Sequence, residues 1–273
     1  MRNPSSGLSG LVPAISTTAS EERRCYMQMK HILSVMTAVL ILSLAADYVP
    51  AGAAGPADAG AAGSLKGTTK VEGATLKPTR IDMSSDPNCA KAHTTPATTE
   101  DVVIGANNGL ANVVIYVADG LGDRTFEPPQ QPVVIEQKGC QYKPHVVALQ
   151  TNQKLDVVNS DATTHNIHPM PNNNREWNKT QPHGMPIEES FAREEITIPV
   201  KCNVHPWMHG YIAVFKHPYF VVTDKDGNFD LKDLPPGTYT IKAWHEKFGT
   251  QSQKVTVGAG ESKTLDFVFK AGS

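Results

Sequence analysis

The stretch VKCNVHPWMHGYIAV, from Val200 to Val214, places three side chains that bind soft metals on one short loop. Cys202, His205 and Met208 follow one another at intervals of three residues. They offer a thiolate, an imidazole and a thioether. A loop between two strands can present all three at one end of a β-sandwich. This stretch therefore predicts a metal site, and the rest of the chain is expected to provide its scaffold.

A second imidazole is offered upstream by the segment NSDATTHNIHPM, residues 159–170. One thiolate and two imidazoles with a weak thioether form the ligand set of a mononuclear blue-copper electron-transfer site. A structural zinc site would instead use four strong ligands, and a catalytic cysteine would need an orienting carboxylate that the sequence does not show. The donor set therefore predicts copper. Pro206 is expected to stiffen the loop and Trp207 to shield the site.

The segment from Cys202 to Met208 (CNVHPWM) resembles the C-x-x-H-P-aromatic-M ligand loop of the amicyanin-like cupredoxins. The upstream segment THNIH, residues 164–168, is similar to the matching segment of the same family. The resemblance covers about Gln131 to Phe215. It implies a Greek-key β-sandwich with one type 1 copper, whose ligands are His165, Cys202, His205 and Met208.

The same resemblance implies roles for the residues around the ligands. Asn166 is expected to tie the two ligand loops together by hydrogen bonding. His168, Pro206 and Trp207 are expected to surround the ligands without binding the metal. Because His168 lies close to the first ligand and His209 follows Met208 directly, either could replace a histidine ligand, and the sequence leaves that choice open.

The C-terminal part of the chain has a resemblance of its own. The segments VTDKDGNF (222–229) and LPPGTY (234–239) resemble a carboxypeptidase regulatory-like, transthyretin-type sandwich. The earlier segments 67–73 and 111–115 fit the opening strands of that family loosely. The cupredoxin unit is therefore predicted to be inserted into this sandwich, and a tandem arrangement of the two units is the alternative.

The predicted fold class is all-β, a cupredoxin-like sandwich plus a second small β-sandwich, because short Val/Thr/Ile runs alternate with Gly- and Pro-rich turns. Residues 84–99 and 169–189 are predicted to be loops, and residues 102–104 a strand. The expected domain boundaries are 1–63 for a leader and linker, 64–130 for the first part of the regulatory-like sandwich, 131–215 for the cupredoxin domain and 216–273 for the remainder.

An apolar run from Ile32 to Ala46 follows a basic residue and precedes small residues. It is short for a membrane span and is typical of a secretory signal peptide, at about residues 27–55. Translation is accordingly expected to start at Met27 or Met29, and an Ala/Gly-rich linker follows. A periplasmic or secreted protein without a stable membrane span is expected. A cytosolic tail ahead of a signal anchor is the alternative.

Signal cleavage would leave three cysteines, Cys89, Cys140 and Cys202. Two of the three should pair in an oxidising compartment. If Cys202 binds the metal, the disulfide joins Cys89 to Cys140. The remaining histidines that show no spacing indicative of a site are His93, His145, His217 and His245.

The predicted function is one-electron transfer with a redox protein such as a c-type cytochrome or an oxidoreductase, docking at the apolar rim around His205 and Trp207. The alternative is a copper-binding surface module for carbohydrate or protein, with a structural metal. An enzyme is not expected, because a copper oxidase or nitrite reductase needs a second histidine-rich centre. The formal net charge of −2 gives no indication of nucleic-acid binding.

Overall fold

The computed structural model describes residues 60–73 and 77–271. The predicted signal peptide and most of the linker lie outside these residues. The described part of the chain is almost entirely β-structure, with one five-residue α-helix, and the predicted all-β fold class is confirmed. No helix in the described ranges is long and apolar enough to cross a membrane.

Nine strands build the cupredoxin-like sandwich. They are β3 (Val133–Gln137), β4 (Tyr142–Lys143), β5 (Val146–Gln150), β6 (Leu155–Asn159), β7 (His165–Pro169), β8 (Lys179–Gln181), β9 (Ile187–Glu189), β10 (Glu195–Lys201) and β11 (His209–Phe215). One sheet has the order β5-β11-β10-β7-β8 and the other β4-β3-β6-β9. Alternate residues along β6 face inward, so Leu155 and Val157 are fully buried. With Ile167, Ile198 and Ile212 they form the core between the sheets.

The other strands build the second sandwich. They are β1 (Gly63–Glu72), β2 (Val114–Asp119), β12 (Phe220–Val222), β13 (Asn228–Leu234), β14 (Gly237–His245), β15 (Gly249–Val257), β16 (Ser262–Thr264) and β17 (Phe267–Lys270). Strand β1 pairs with β13, β16 and β17, and β2 lies between β12 and β14. The chain thus leaves this sandwich after β2, builds β3–β11, and returns at β12.

A third apolar cluster joins the two sandwiches. Phe215, at the end of β11, stacks on Phe220 of β12 with 4.7 Å between ring centroids. Tyr211 packs edge-on against Trp244 of β14 at 5.2 Å. These contacts hold β11, the strand that follows the Cys202 loop, against the second sandwich. Residues of both sandwiches therefore lie near the loop.

The predicted loop at residues 169–189 is wrong in part, because it contains two short strands. β8 pairs with β7 and β9 pairs with β6. Three-residue strands carry almost no periodic signal, and their pairing partners decide whether they form. The predicted strand at residues 102–104 is also wrong, since the only ladder contact there is an isolated bridge between Ile104 and Leu110.

The predicted loop at residues 84–99 contains the α-helix, α1 (Pro87–Lys91). Its N-cap is Asp86, whose side chain accepts hydrogen bonds from the backbone N–H groups of Asn88 and Cys89. Asp followed by Pro is a recognised helix start, so the sequence did contain this signal. The segment 86–93 around α1, called here the cap, packs over the end of the cupredoxin-like sandwich that carries the Cys202 loop.

Candidate metal centre

The strand pairing brings the predicted ligands to one end of the sandwich. Cys202 directly follows β10, Met208 directly precedes β11, and His205 lies in the turn between them. His165 is the first residue of β7. β7 runs antiparallel to β10 with His168 opposite Lys201, so the start of β7 lies beside the loop that follows β10. The local loop and the distant histidine therefore meet.

Two backbone hydrogen bonds shape the loop into a compact turn. The N–H of Cys202 donates to the carbonyl of Met208 at 2.9 Å, and the N–H of Met208 donates to the carbonyl of His205 at 2.9 Å. All three side chains are buried, with exposed fractions of 3% for Cys202, 2% for His205 and 1% for Met208. With this turn and this spacing, the three donor side chains all face the interior of the protein.

The donor atoms converge. The Nδ1 atoms of His165 and His205 are 3.0 Å apart, and Cys202 Sγ is 3.8 Å from His205 Nδ1. The ligand atoms of these three residues all lie within 4.8 Å of one another. Met208 is buried in the same apolar cluster as Cys202. One sulfur and two imidazole nitrogens, with Met208 buried in the same cluster, fit a type 1 copper ion.

His168 and His209, the two alternative ligands that the sequence allows, contact carboxylates outside the donor group. His168 Nε2 contacts Glu176 Oε1 at 2.5 Å, and His209 Nε2 contacts Asp101 Oδ1 at 2.8 Å. Neither belongs to the convergent group of His165, Cys202 and His205. The arrangement therefore favours His165 as the upstream ligand.

Each imidazole of the centre is held by a carboxylate on its outer nitrogen. His165 Nε2 donates to Asp161 Oδ2 at 2.8 Å, and His205 Nε2 donates to Asp86 Oδ2 at 3.0 Å. A proton on Nε2 leaves Nδ1 free for the metal in both rings. Neither aspartate was assigned a role from the sequence. The position of Asp161, four residues before His165, was a usable signal; that of Asp86 was not.

Asp161 is itself fixed by the backbone. Its two carboxylate oxygens accept hydrogen bonds from the N–H groups of Gly139 and Cys140, at 2.7 and 2.8 Å. Burial favours a raised pKa for this carboxyl group, but the hydrogen bonds from His165 and from these N–H groups outweigh it and lower the pKa. Asp161 is therefore ionised and holds His165 in place.

The pKa values of His165 and Cys202 shift in opposite directions. Burial alone would lower the pKa of His165, but Asp161 and Cys202 raise it to about 9. Burial alone would raise the pKa of Cys202, but hydrogen bonds from His165 and from backbone N–H groups, led by that of His205, lower it to about 7. The pocket thus stabilises the Cys202 thiolate beside the His165 imidazolium. A bound metal cation would replace the imidazolium proton as the positive charge next to the thiolate.

Asn166 links the two ligand-bearing segments. Its Oδ1 accepts the N–H of Asn203 at 3.0 Å, next to Cys202. Its Nδ2 donates to Asn178 Oδ1 and, at 3.2 Å, to the carbonyl of Lys179. These bonds connect the Cys202 loop, β7 and β8 through one side chain.

The cap covers the outer edge of His205. The disulfide Cys89–Cys140, the pair expected from the cysteine count, attaches α1 to the turn after β3, and Cys89 Sγ lies 3.5 Å from His205 Nε2. Trp207 packs against His205 with 5.1 Å between ring centroids and donates from Nε1 to the carbonyl of Cys140 at 3.2 Å. The disulfide and Asp86 thus contact the outer edge of His205, in the region where the sequence predicts an apolar docking rim.

Comparisons with known proteins agree with the two sequence resemblances in part. Residues 212–270 match the family model of the carboxypeptidase regulatory-like domain. No curated protein matches the sequence. The family match begins within β11 and extends into β17.

The similar solved structures include several cupredoxins. A purple cupredoxin from Nitrosopumilus maritimus is 22% identical over 30% of this chain and 97% of its own, with a TM-score of 0.26. A point mutant of amicyanin in the reduced state is 17% identical over 37% of this chain and 97% of its own, with a TM-score of 0.28. A copper-containing nitrite reductase from Thermus scotoductus SA-01 is 21% identical over 37% of this chain, with a TM-score of 0.30, and the alignment spans 25% of the reductase.

Proposed function

We propose that this protein is a type 1 copper protein that transfers one electron at a time. The ligands are His165, Cys202, His205 and Met208. The observation that carries the proposal is the convergence of a buried thiol and two imidazole Nδ1 atoms, each imidazole oriented by a carboxylate on Nε2. A copper ion held there would supply the one-electron couple between Cu(I) and Cu(II).

The surroundings of the donors support an electron carrier more than an enzyme. All four donor side chains are buried. Asp161 and Asp86 hold the two imidazoles by hydrogen bonds, and Asn166 fixes the Cys202 loop at the N–H of Asn203. Ligands fixed in this way change position little between two oxidation states, which lowers the barrier to electron transfer. The cap also excludes solvent from the outer edge of His205, which leaves little room for a substrate at this centre.

The domain organisation and the location belong to the same proposal. The cupredoxin domain, 131–215, is inserted between two parts of a regulatory-like sandwich, 64–130 and 216–273. The Cys89–Cys140 disulfide suits an oxidising compartment, so the protein is periplasmic or secreted. Its partner is a redox protein such as a c-type cytochrome or an oxidoreductase.

A visible and paramagnetic-resonance spectrum of the copper-loaded protein tests the proposal. We expect an intense thiolate-to-copper charge-transfer band and reversible one-electron exchange with a c-type cytochrome or an electrode. The zinc-loaded protein is the control and should show no such band. Absence of the band in the copper-loaded protein would overturn the proposal.

A second candidate function is a copper-binding surface module for carbohydrate or protein. The match of residues 212–270 to the regulatory-like domain family favours it. The same experiment separates the two functions, because a module with a structural metal would show the charge-transfer band but no reversible electron exchange.

The copper affinity should depend on pH. Between pH 7 and 9 Cys202 is a thiolate and His165 is protonated, because their pKa values are about 7 and about 9. Copper must displace the proton of His165, so the apparent affinity should rise about tenfold per pH unit in this window and level off above it. Competition with a chelator of known pH dependence measures this.

The Asp161→Asn variant is the matched comparison for this pH dependence. It removes the charge that raises the pKa of His165, so the rise in affinity should move to lower pH. An affinity that stays constant from pH 7 to pH 9 in the unmodified protein would contradict the raised pKa of His165.

A further inference from the structure

Two histidines and a glutamate from distant parts of the chain meet at the junction of the two sandwiches. His145 directly precedes β5, His209 begins β11, and Glu246 lies in the turn between β14 and β15. Their ligand atoms lie within 4.8 Å of one another. No site was predicted at His145 from the sequence, because its neighbours in this cluster are supplied only by folding.

We propose that His145, His209 and Glu246 form a second metal site, which binds a divalent transition metal and, among these, Zn²⁺. Imidazole nitrogen and carboxylate oxygen are donors that zinc accepts, usually in a tetrahedral set of four. The site is separate from the copper ligands and its donors contain no sulfur, so it does not share their preference for copper.

Burial of two of the three donors supports the site. The side chain of His145 has an exposed fraction of 3% and that of Glu246 also 3%, and His145 Nε2 faces Glu246 Oε1. A carboxylate removed from water requires a positive or hydrogen-bonding partner. His145 is that partner in this structure, and a metal ion bound to both side chains would replace their direct contact.

His209 has the outer hydrogen bond that metal-binding histidines use. Its Nδ1 donates to the carbonyl of Trp207 at 3.1 Å, which leaves Nε2 as the nitrogen that can bind a metal. The side chain is 34% exposed, so an ion can reach it from solvent. Asp101 Oδ1 lies 2.8 Å from Nε2 and can supply a fourth donor, while Lys247, 3.1 Å from Asp101 Oδ2, compensates part of its charge.

The position of the site gives it a structural consequence. His209 follows the copper ligand Met208 directly, and the carbonyl of His145 accepts the N–H of Tyr211 at 3.0 Å. Glu246 belongs to the hairpin of the second sandwich. A metal here would clamp the β14–β15 hairpin to the strand that leaves the Cys202 loop, so zinc should raise the thermal stability of the protein.

Equilibrium dialysis against Zn²⁺ tests the site in the full chain carrying Cys202→Ala, which weakens the first centre. We expect this Cys202→Ala parent to bind zinc at the second site. Adding Glu246→Gln or His145→Gln should weaken zinc binding at that site at least about tenfold, so that one equivalent of bound zinc is lost at the concentration used. Glu176→Gln is the matched control, because it removes an exposed carboxylate that also pairs with a histidine; it should bind zinc like the parent.

Thermal unfolding with and without zinc shows whether each variant is folded and whether the stabilisation is lost with Glu246 or His145. Zinc binding and zinc stabilisation that are the same in the parent and in both variants would overturn the second site. Because zinc gives no charge-transfer band, this result is independent of the copper spectrum, and either proposal can fail alone.

Discussion

Replacing Cys202 with serine is expected to abolish the charge-transfer band of the copper-loaded protein. The band requires a thiolate bound to copper, and a serine hydroxyl neither ionises near neutral pH nor offers a soft donor. Copper affinity should fall by more than about a hundredfold, since changes merely next to a metal ligand already cost about ten- to a hundredfold. Visible absorption and chelator competition measure the two effects.

Two histidine variants complete this test. His165→Gln should also lose the band, because His165 Nδ1 is part of the convergent donor group. His168→Gln should keep it, because His168 contacts Glu176 and Asn203 outside that group. A Cys202→Ser protein that retains the intense absorption, or a His168→Gln protein that loses it while staying folded, would contradict the ligand assignment.

Replacing Cys89 and Cys140 together with alanine should lower the free energy of unfolding by about 4 kcal/mol. The disulfide joins residues 51 positions apart, and a cross-link closing a loop of that length stabilises by about 2–5 kcal/mol, mainly by restricting the unfolded chain. Chemical denaturation of the metal-free protein measures the change, with the intact oxidised protein as the reference.

The same double variant should make the copper centre more accessible to solvent while leaving copper binding intact. Cys89 packs beside His205, so loosening the cap should speed the reduction of bound Cu(II) by a small-molecule reductant. The charge-transfer band should remain, since Cys202 is untouched. An unchanged free energy of unfolding, or loss of the band in a folded variant, would show that the role assigned to the disulfide is wrong.

The cap also changes how a redox partner would reach the copper. In the proposed function, a partner meets α1, the disulfide and Trp207 before it meets the imidazole of His205. Electron transfer would therefore pass through or beside these groups, and the double cysteine variant shows how far the cap limits the rate.

The local parts of this protein could be predicted from its sequence. Short Val/Thr/Ile runs between Gly- and Pro-rich turns determine the all-β class, because both periodicity and turn chemistry act over a few residues. The spacing of Cys202, His205 and Met208 likewise lies within a single turn, so the sequence alone presents these donors together. Cysteine counting was enough for the disulfide because few pairings were open.

Tertiary structure alone decided the long-range contacts around those donors. Asp86 contacts His205 from 119 positions away, and Glu246 contacts His145 from 101 positions away. Such contacts leave no periodic or motif signal, because they depend on which strands pair and which faces pack. The sequence thus determined that Cys202, His205 and Met208 lie on one loop. The fold decided that the outer edge of His205 is covered and that a second cluster of His and Glu side chains forms at the junction of the sandwiches.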